Sequence, residues 1–425
     1  MASGELPESG RDELLARMTD EVAALVLADN TAQNRVLGAT RHHAAPMLSV
    51  YGRLIAELVR SGRLNRELEF LPSETQIGRR VAAGEGLTSP ELAVLMAYVK
   101  STLTREMLAS DLPDQPAFAD RLPGYFPTAM RERCPQAIAA HPLAREIVTT
   151  ETVNAVVNGA GITYAFRLGE EMAASPTDAI RAYAVATEVF ALDRLWADVA
   201  AEDNRVPASC QDTLLLEIRR LLDRAARWFL TRRPQPLDVT AEIGRYRDQV
   251  AAQFVRMPRL VCGVEHDNVR ADAAGLASLG APVELATRVS YALYTFSLLD
   301  VVDVAGERGR SVDECAALYY ALSAHLDFDR LLSDVTALAR GDRWHALARQ
   351  ALRDDLYRSL REITADVLST TRPDQQPAEK IAQWEAENQN RLARARTTLG
   401  QIGAAGAGDL AALSVAAREV RTMVR

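Results

Sequence analysis

At 425 residues the chain is longer than one hydrophobic core serves, since cores stop growing near about 250 to 300 residues, so two subdomains are expected. Its 48% hydrophobic and 25% charged residues are the values of a folded globular chain and exclude a disordered one. A net charge of -8 and a pI near 5.5 exclude a nucleic-acid partner that relies on clustered positive charge.

Of the 49 lysines and arginines only Lys100 and Lys380 are lysine, which removes most candidates for lysine chemistry. Cys134, Cys210, Cys262 and Cys315 lie far apart with no CxxC pair, so they read as buried free thiols in a reducing compartment. The N-terminal MASGELPESGRDELL has no apolar h-region, and the most apolar stretch, residues 291–304, is cut by Asp300 and Asp303. The expectation is a cytoplasmic protein with no membrane partner.

In chain order, the first helix signal covers residues 11–34. Leu14, Leu15, Met18, Val22, Leu25 and Val26 recur at helical spacing, and the stripe continues through Asn30 and Gln33 to Leu37. A helix running that far would bury the amides, at about 1 to 3 kcal/mol each without partners. Asn30 capping the helix before a solvated turn is one expectation; a seam with another domain is the other. Residues 88–91, TSPE, form a capping box with proline in the first turn, ahead of the apolar run Leu92, Leu95, Met96, Val99, Leu103, Met107. Four prolines in residues 112–127 predict a long ordered loop.

A helix rich in Thr and Val places Asn154 and Asn158 on one face, which reads as amides tying this helix to a neighbour's backbone or as a docking face; Arg167, Glu170 and Glu171 follow on the next helix. Ser175, Pro176 and Asp178 start another helix, and residues 207–231 a further one with Leu214, Leu215, Ile218, Leu221, Leu222 and Trp228 on one face. The RRPQPL segment at 232–237 is the clearest break, because two prolines remove backbone donors. It places a boundary between an N-terminal helical subdomain, 1–232, and a C-terminal helical bundle, 233–425. Helices are predicted from Pro282 through Leu298, from the capping box at 311–314 through Leu326, over 342–369 and 376–400, and, after a GAAGAGD turn at 403–409, at the C-terminus. The fold class that follows is all-α, a multi-helix bundle in two packed subdomains with no Rossmann sheet.

Motifs for chemistry are scarce. Gly159-Ala160-Gly161 approaches a dinucleotide turn, but Tyr164 stands where a third glycine belongs and the preceding residues read as helix, so the glycines are expected to separate two helices. Lys100-Ser101 follows Val99, where a P-loop requires glycine. His42 and His43 point about 100° apart on a helix and cannot pair on one metal in the usual i, i+4 manner. Glu265, His266, Asp267 and Asn268, with Asp272, match no known metal loop and read as a solvated polar turn. Six scattered histidines and no GxSxG elbow leave nucleophilic catalysis without a motif.

Five segments carry a family resemblance: MTDEVAALVLADNTAQNRVLG (18–38), HAAPMLSV (43–50), LEFLPS (68–73), LTSPELAVLMAYVKSTLT (87–104) and REIVTTETVNAVVNGAGITYAFRL (145–168). In this order they resemble the C-terminal helical region of the large bacterial NAD-specific glutamate dehydrogenases. The resemblance implies a parent reaction taking L-glutamate, NAD and water to 2-oxoglutarate, ammonia and NADH. In that family the catalytic part lies before the matched region and holds a lysine-bearing glycine-rich segment and a Rossmann module, neither of which occurs in this sequence.

No catalytic, cofactor-binding or metal residue is therefore assigned to any position, and NAD would bind the absent catalytic portion. The chain reads as an excised C-terminal portion whose partners are the catalytic domain of the same polypeptide and further copies in a homo-oligomer. The alternative is a free-standing helical scaffold or adaptor without activity. An enzyme of unrelated class built on residues 265–272 has no motif behind it.

Overall fold

The computed structural model describes residues 8–338, 343–404 and 408–424, so residues 405–407 of the glycine-rich turn lie outside the described residues. The elements found among them are helices, with no strand. The all-α expectation holds. The chain divides into two compact units, one comprising Met1–Ala186 with Leu222–Glu242 and the other Thr187–Leu221 with Ile243–Arg425. The 232–237 proline segment thus belongs to the first unit.

In the first unit, α1 (Glu8–His42) is followed by α2 (Ala44–Arg60), α3 (Glu74–Ala83) and α4 (Ser89–Leu108). Helices α3 and α4 both begin in reciprocal capping boxes. Ser73 Oγ accepts from Gln76 N while Gln76 Oε1 accepts from Ser73 N at 2.7 Å; Thr88 and Glu91 repeat the arrangement, with Glu91 accepting from Thr88 N at 2.7 Å. Each box satisfies amide donors that the first helical turn leaves open. The same Glu91 carboxylate takes both terminal nitrogens of Arg80, at 2.8 and 2.9 Å, which ties α3 to α4.

The predicted stripe Leu92, Leu95, Met96, Val99, Leu103, Met107 is buried and packs on α5 (Ala144–Ala160), which contributes Val148, Val153, Val156 and Val157. Valines are stiff and weak helix formers, so it is burial, at about 1.5 to 3 kcal/mol per side chain, that holds α5 helical.

Two expectations are corrected here. Residues 112–127 are not an irregular loop but a chain of short helical turns, Leu112–Asp114, Pro116–Phe118 and Arg121–Gly124, which bury Leu112, Phe118 and Leu122. Proline at the start of the first two turns costs no bond, because its missing N–H falls where a helix has no acceptor to offer. Nor does α1 end at Asn30. It continues to His42, and only its last turns, at Val36, Ala39 and Thr40, are fully buried.

Helices α6 (Tyr164–Met172) and α7 (Pro176–Val189) follow α5. In the second unit come α8 (Leu192–Ala200), α11 (Gly263–Ser278), α12 (Val283–Ala292), α13 (Leu298–Arg308), α14 (Val312–His325), α15 (Phe328–Ala337), α16 (Arg343–Thr370), α17 (Pro377–Ala404) and α18 (Leu410–Arg421). Helices α7, α9 (Ala208–Arg232) and α10 (Val239–Phe254) give residues to each unit. The centre of the second unit is α16, which packs on α13, α14, α15, α17 and α18. Its buried Leu352, Leu356, Leu360, Ile363 and Val367 recur every three to four residues, the spacing of one helical face.

The helix predicted from Pro282 through Leu298 instead tightens to a 3-10 turn at Leu293–Ser297 and resumes as α13. Residues Val283–Arg308 are long and apolar enough to cross a membrane, yet 83% of their most apolar window is buried inside the fold. The two aspartates in this stretch have partners: the Tyr246 hydroxyl and the Arg245 guanidinium donate to Asp303 at 2.6 and 2.8 Å, and Arg361 lies 3.9 Å from Asp300. Lys380 on α17 is similarly held, its ammonium donating to Glu314 at 2.7 Å and to the Arg372 carbonyl. Also on α17, Asn388 departs from helical geometry and its buried side-chain amide donates to Trp384 O at 2.7 Å, one turn back along the same helix.

Candidate functional site

The polar residues singled out on α5 and α6 meet partners from distant parts of the first unit. Helix α5 ends at Ala160, Gly161 takes φ +91° and ψ 166°, and α6 opens three residues later. That backbone geometry suits glycine, and it makes Gly159 to Gly161 a helix exit, as the sequence predicts.

On α6, Arg167 donates to Asp223 Oδ1 at 2.7 Å; from α9, Arg227 donates to Asp223 Oδ2 at 2.9 Å and pairs with Glu171 at 2.7 Å. Arg53 on α2 holds both oxygens of Glu170, at 2.6 and 2.9 Å. Burial alone would raise the Asp223 pKa, but the adjacent Arg167 and Arg227 charges hold it well below the usual carboxylate range. Beneath them Tyr164 is buried, which raises its pKa, and its hydroxyl donates to Ala179 O at 3.1 Å.

The Asp223 carboxylate, held this firmly ionised with its lone pairs committed to guanidinium groups, is a poor proton acceptor at neutral pH. The arrangement clamps α2, α6 and α9 together. Sequence reasoning found Arg167, Glu170 and Glu171 and missed Arg53, Asp223 and Arg227. The available signal was Asp223 and Arg227 four residues apart on one helical face.

The remaining sequence candidates stay apart. Residues 265–272 are not a solvated turn: they lie within α11, where Glu265 is buried, Asp267 and Asp272 are exposed, and Asn268 donates to Ser333 Oγ at 3.3 Å. No group of three or more His, Cys, Asp or Glu side chains suited to a metal ion occurs among the described residues. His42 closes α1 and His43 precedes α2, their rings 6.4 Å apart. The four cysteines are free; Cys210 and Cys315 are buried. Lys100 is half-buried inside α4, where desolvation lowers its pKa and the Asp29 carboxylate partly offsets the shift. Asn154 and Asn158 are half-buried on α5.

A groove of about 320 Å³ opens beside Pro113, Leu122, Pro123 and Ile138, with Arg131 and Arg145 at its edge. Both guanidiniums are engaged. Arg145 donates to the carbonyls of Leu108 and Ser110 at 3.1 and 3.0 Å and pairs with Asp114; Arg131 donates to Thr128 Oγ1 at 2.7 Å. What remains toward solvent is mainly proline and aliphatic carbon.

The expected cap at Asn30 is not found, since α1 runs on to His42. Asn30 is exposed, its side chain donating to Val26 O at 3.0 Å, and Gln33 is half-buried. Leu15, Val22, Leu25, Val26 and Leu27 on the same helix are exposed as well. Periodicity identified an apolar face correctly, but within this chain that face is largely uncovered.

A chain whose described elements are helices, and whose charged groups clamp helices to one another, is an all-α protein. Residues 84–422 match the family described as "Glutamate dehydrogenase, C-terminal". Over all 425 residues the chain is 49% identical to the NAD-specific glutamate dehydrogenase of Mycobacterium tuberculosis. It is 33% identical over 420 residues to that of Halomonas elongata and 33% over 423 residues to that of Pseudomonas aeruginosa. The chain belongs to the glutamate dehydrogenase C-terminal family. It spans about a quarter of the length of these curated relatives, 26% of each.

Proposed function

We propose that this chain is the non-catalytic helical portion of an NAD-dependent glutamate dehydrogenase that oxidises L-glutamate to 2-oxoglutarate and ammonia. It packs on the catalytic portion of the same polypeptide and supports assembly or regulation of a cytoplasmic homo-oligomer. The supporting observation is the match itself: essentially the whole chain aligns with proteins named NAD-specific glutamate dehydrogenase, and it aligns with only 26% of each. NAD is then bound by the catalytic portion, consistent with the absence of a glycine-rich phosphate turn in this sequence.

The test is glutamate-dependent reduction of NAD, measured for the 425-residue chain alone and for the complete polypeptide. Activity is expected only from the complete polypeptide; turnover by the chain alone overturns the proposal. The reading frame upstream of Met1 gives a second check, since a continuous frame into a Rossmann-type coding region is expected, and a stop codon with a ribosome-binding site contradicts it.

A further inference from the structure

Helix α1 is covered along one side only. Leu14, Met18 and Glu21 on that side are half-buried, and Glu21 accepts from both Thr128 N and Thr128 Oγ1, at 2.9 and 2.7 Å. The apolar surface does not stop at the covered side. Leu15, Val22 and Val26 are 52%, 43% and 54% exposed and, at 100° per residue, fall within about 40° of one another on the helix. Leu25 and Leu27 widen the strip. Together they form an aliphatic ridge running about 18 Å along the axis at 1.5 Å per residue.

Charged groups stand at the far end of this ridge. Asp29 of α1 acts electrostatically on Lys100 of α4 and on Glu151 of α5, two half-buried side chains whose burial pushes each toward its neutral form. An apolar centre bordered by charged groups is the anatomy of a protein–protein interface.

We propose that this ridge, Leu15, Val22, Leu25 and Val26 with Asp29, Lys100 and Glu151 at its border, is the surface on which the preceding part of the full-length polypeptide docks. The inference rests on the functional reading above. The occupant follows from length: the family is the C-terminal one, and about three quarters of each relative lies outside the matched region. That is ample chain to cover an exposed helix face, and a family described as C-terminal puts it before the matched region, on the side where α1 begins.

The experiment places a photo-crosslinking amino acid at position 22 or 26 of the full-length polypeptide, with position 248, a highly exposed site, as a solvent control. Mass spectrometry after irradiation is expected to find adducts to peptides upstream of residue 1, at least tenfold above the control. Adducts only to α1 of a second copy, or a yield no higher than at position 248, overturn the assignment. Failure of the underlying reading is registered separately, as NAD reduction by the 425-residue chain.

Discussion

Replacing Asp223 with asparagine keeps the side-chain volume and removes one charge from the clamp between α6 and α9. Arg227 retains Glu171 at 2.7 Å, whereas Arg167 loses the carboxylate that accepts from it at 2.7 Å. Removing one partner of a fully buried pair costs roughly 3 to 5 kcal/mol, and of a solvated pair roughly 0 to 1 kcal/mol. With the Asp223 and Arg227 side chains 25% and 11% exposed, Asp223→Asn is expected to cost about 2 to 3 kcal/mol at pH 7, toward the buried end of that range.

Hydrogen exchange of the α6 amides in urea reads the first unit directly and needs no single global transition. The pH dependence is a second check. The folded-state pKa of Asp223 lies below its unfolded value, so its contribution is complete above about pH 4 to 5 and disappears as pH falls through the lower folded value. The gap between wild type and variant must therefore narrow in acid. A cost under about 0.5 kcal/mol at pH 7, within the noise of ordinary surface substitutions, or a gap that stays constant to low pH, refutes the electrostatic account.

Two further outcomes follow from the second unit. Gly263 and Gly309 both adopt φ +62°, but a Cβ at Gly309 meets nothing within 4 Å, while at Gly263 it would collide with the Asp329 carboxylate and approach Ala324 Cβ to 3.0 Å. Gly309→Ala is expected to cost about 1 kcal/mol and Gly263→Ala about 1 to 3 kcal/mol more, read as the difference in denaturation midpoint; equal costs contradict the packing argument. Among the thiols, burial pushes Cys315 up to about 12 and also raises Cys210 and Cys262. Iodoacetamide at pH 8 is expected to label the half-buried Cys134 first and Cys315 only after unfolding, and rapid native labelling of Cys315 counts against its placement.

The fold was legible wherever a local signal suffices. The TSPE box fixed the start of α4 because capping involves residues three apart, and the face of α9 followed from 3.6-residue spacing. Glycine signals separated α5 from α6 correctly. Legibility failed where the deciding partner is remote: Arg53 and Glu170 are 117 residues apart, and Arg167 and Asp223 56. It failed for α1 in a different manner. Periodicity shows that a helix has an apolar face but not whether the same chain covers it, so the residues around Asn30 suit a cap and a seam equally, and the structure removes the cap. The polar run at 265–272 has the charge density of a turn but the register of a helix, in which Glu265 and Val269 share a buried face.

The scarcity of lysine has a practical consequence. Lys380 is 1% exposed and tied to Glu314 and the Arg372 carbonyl, and Lys100 is half-buried within α4. The Lys380 side chain of the folded chain is therefore out of reach of amine-reactive labels and lysine-specific proteases. A cut after Lys380 needs the first turn of α17 to open, so the peptide released there is a built-in clock for local unfolding of the second unit.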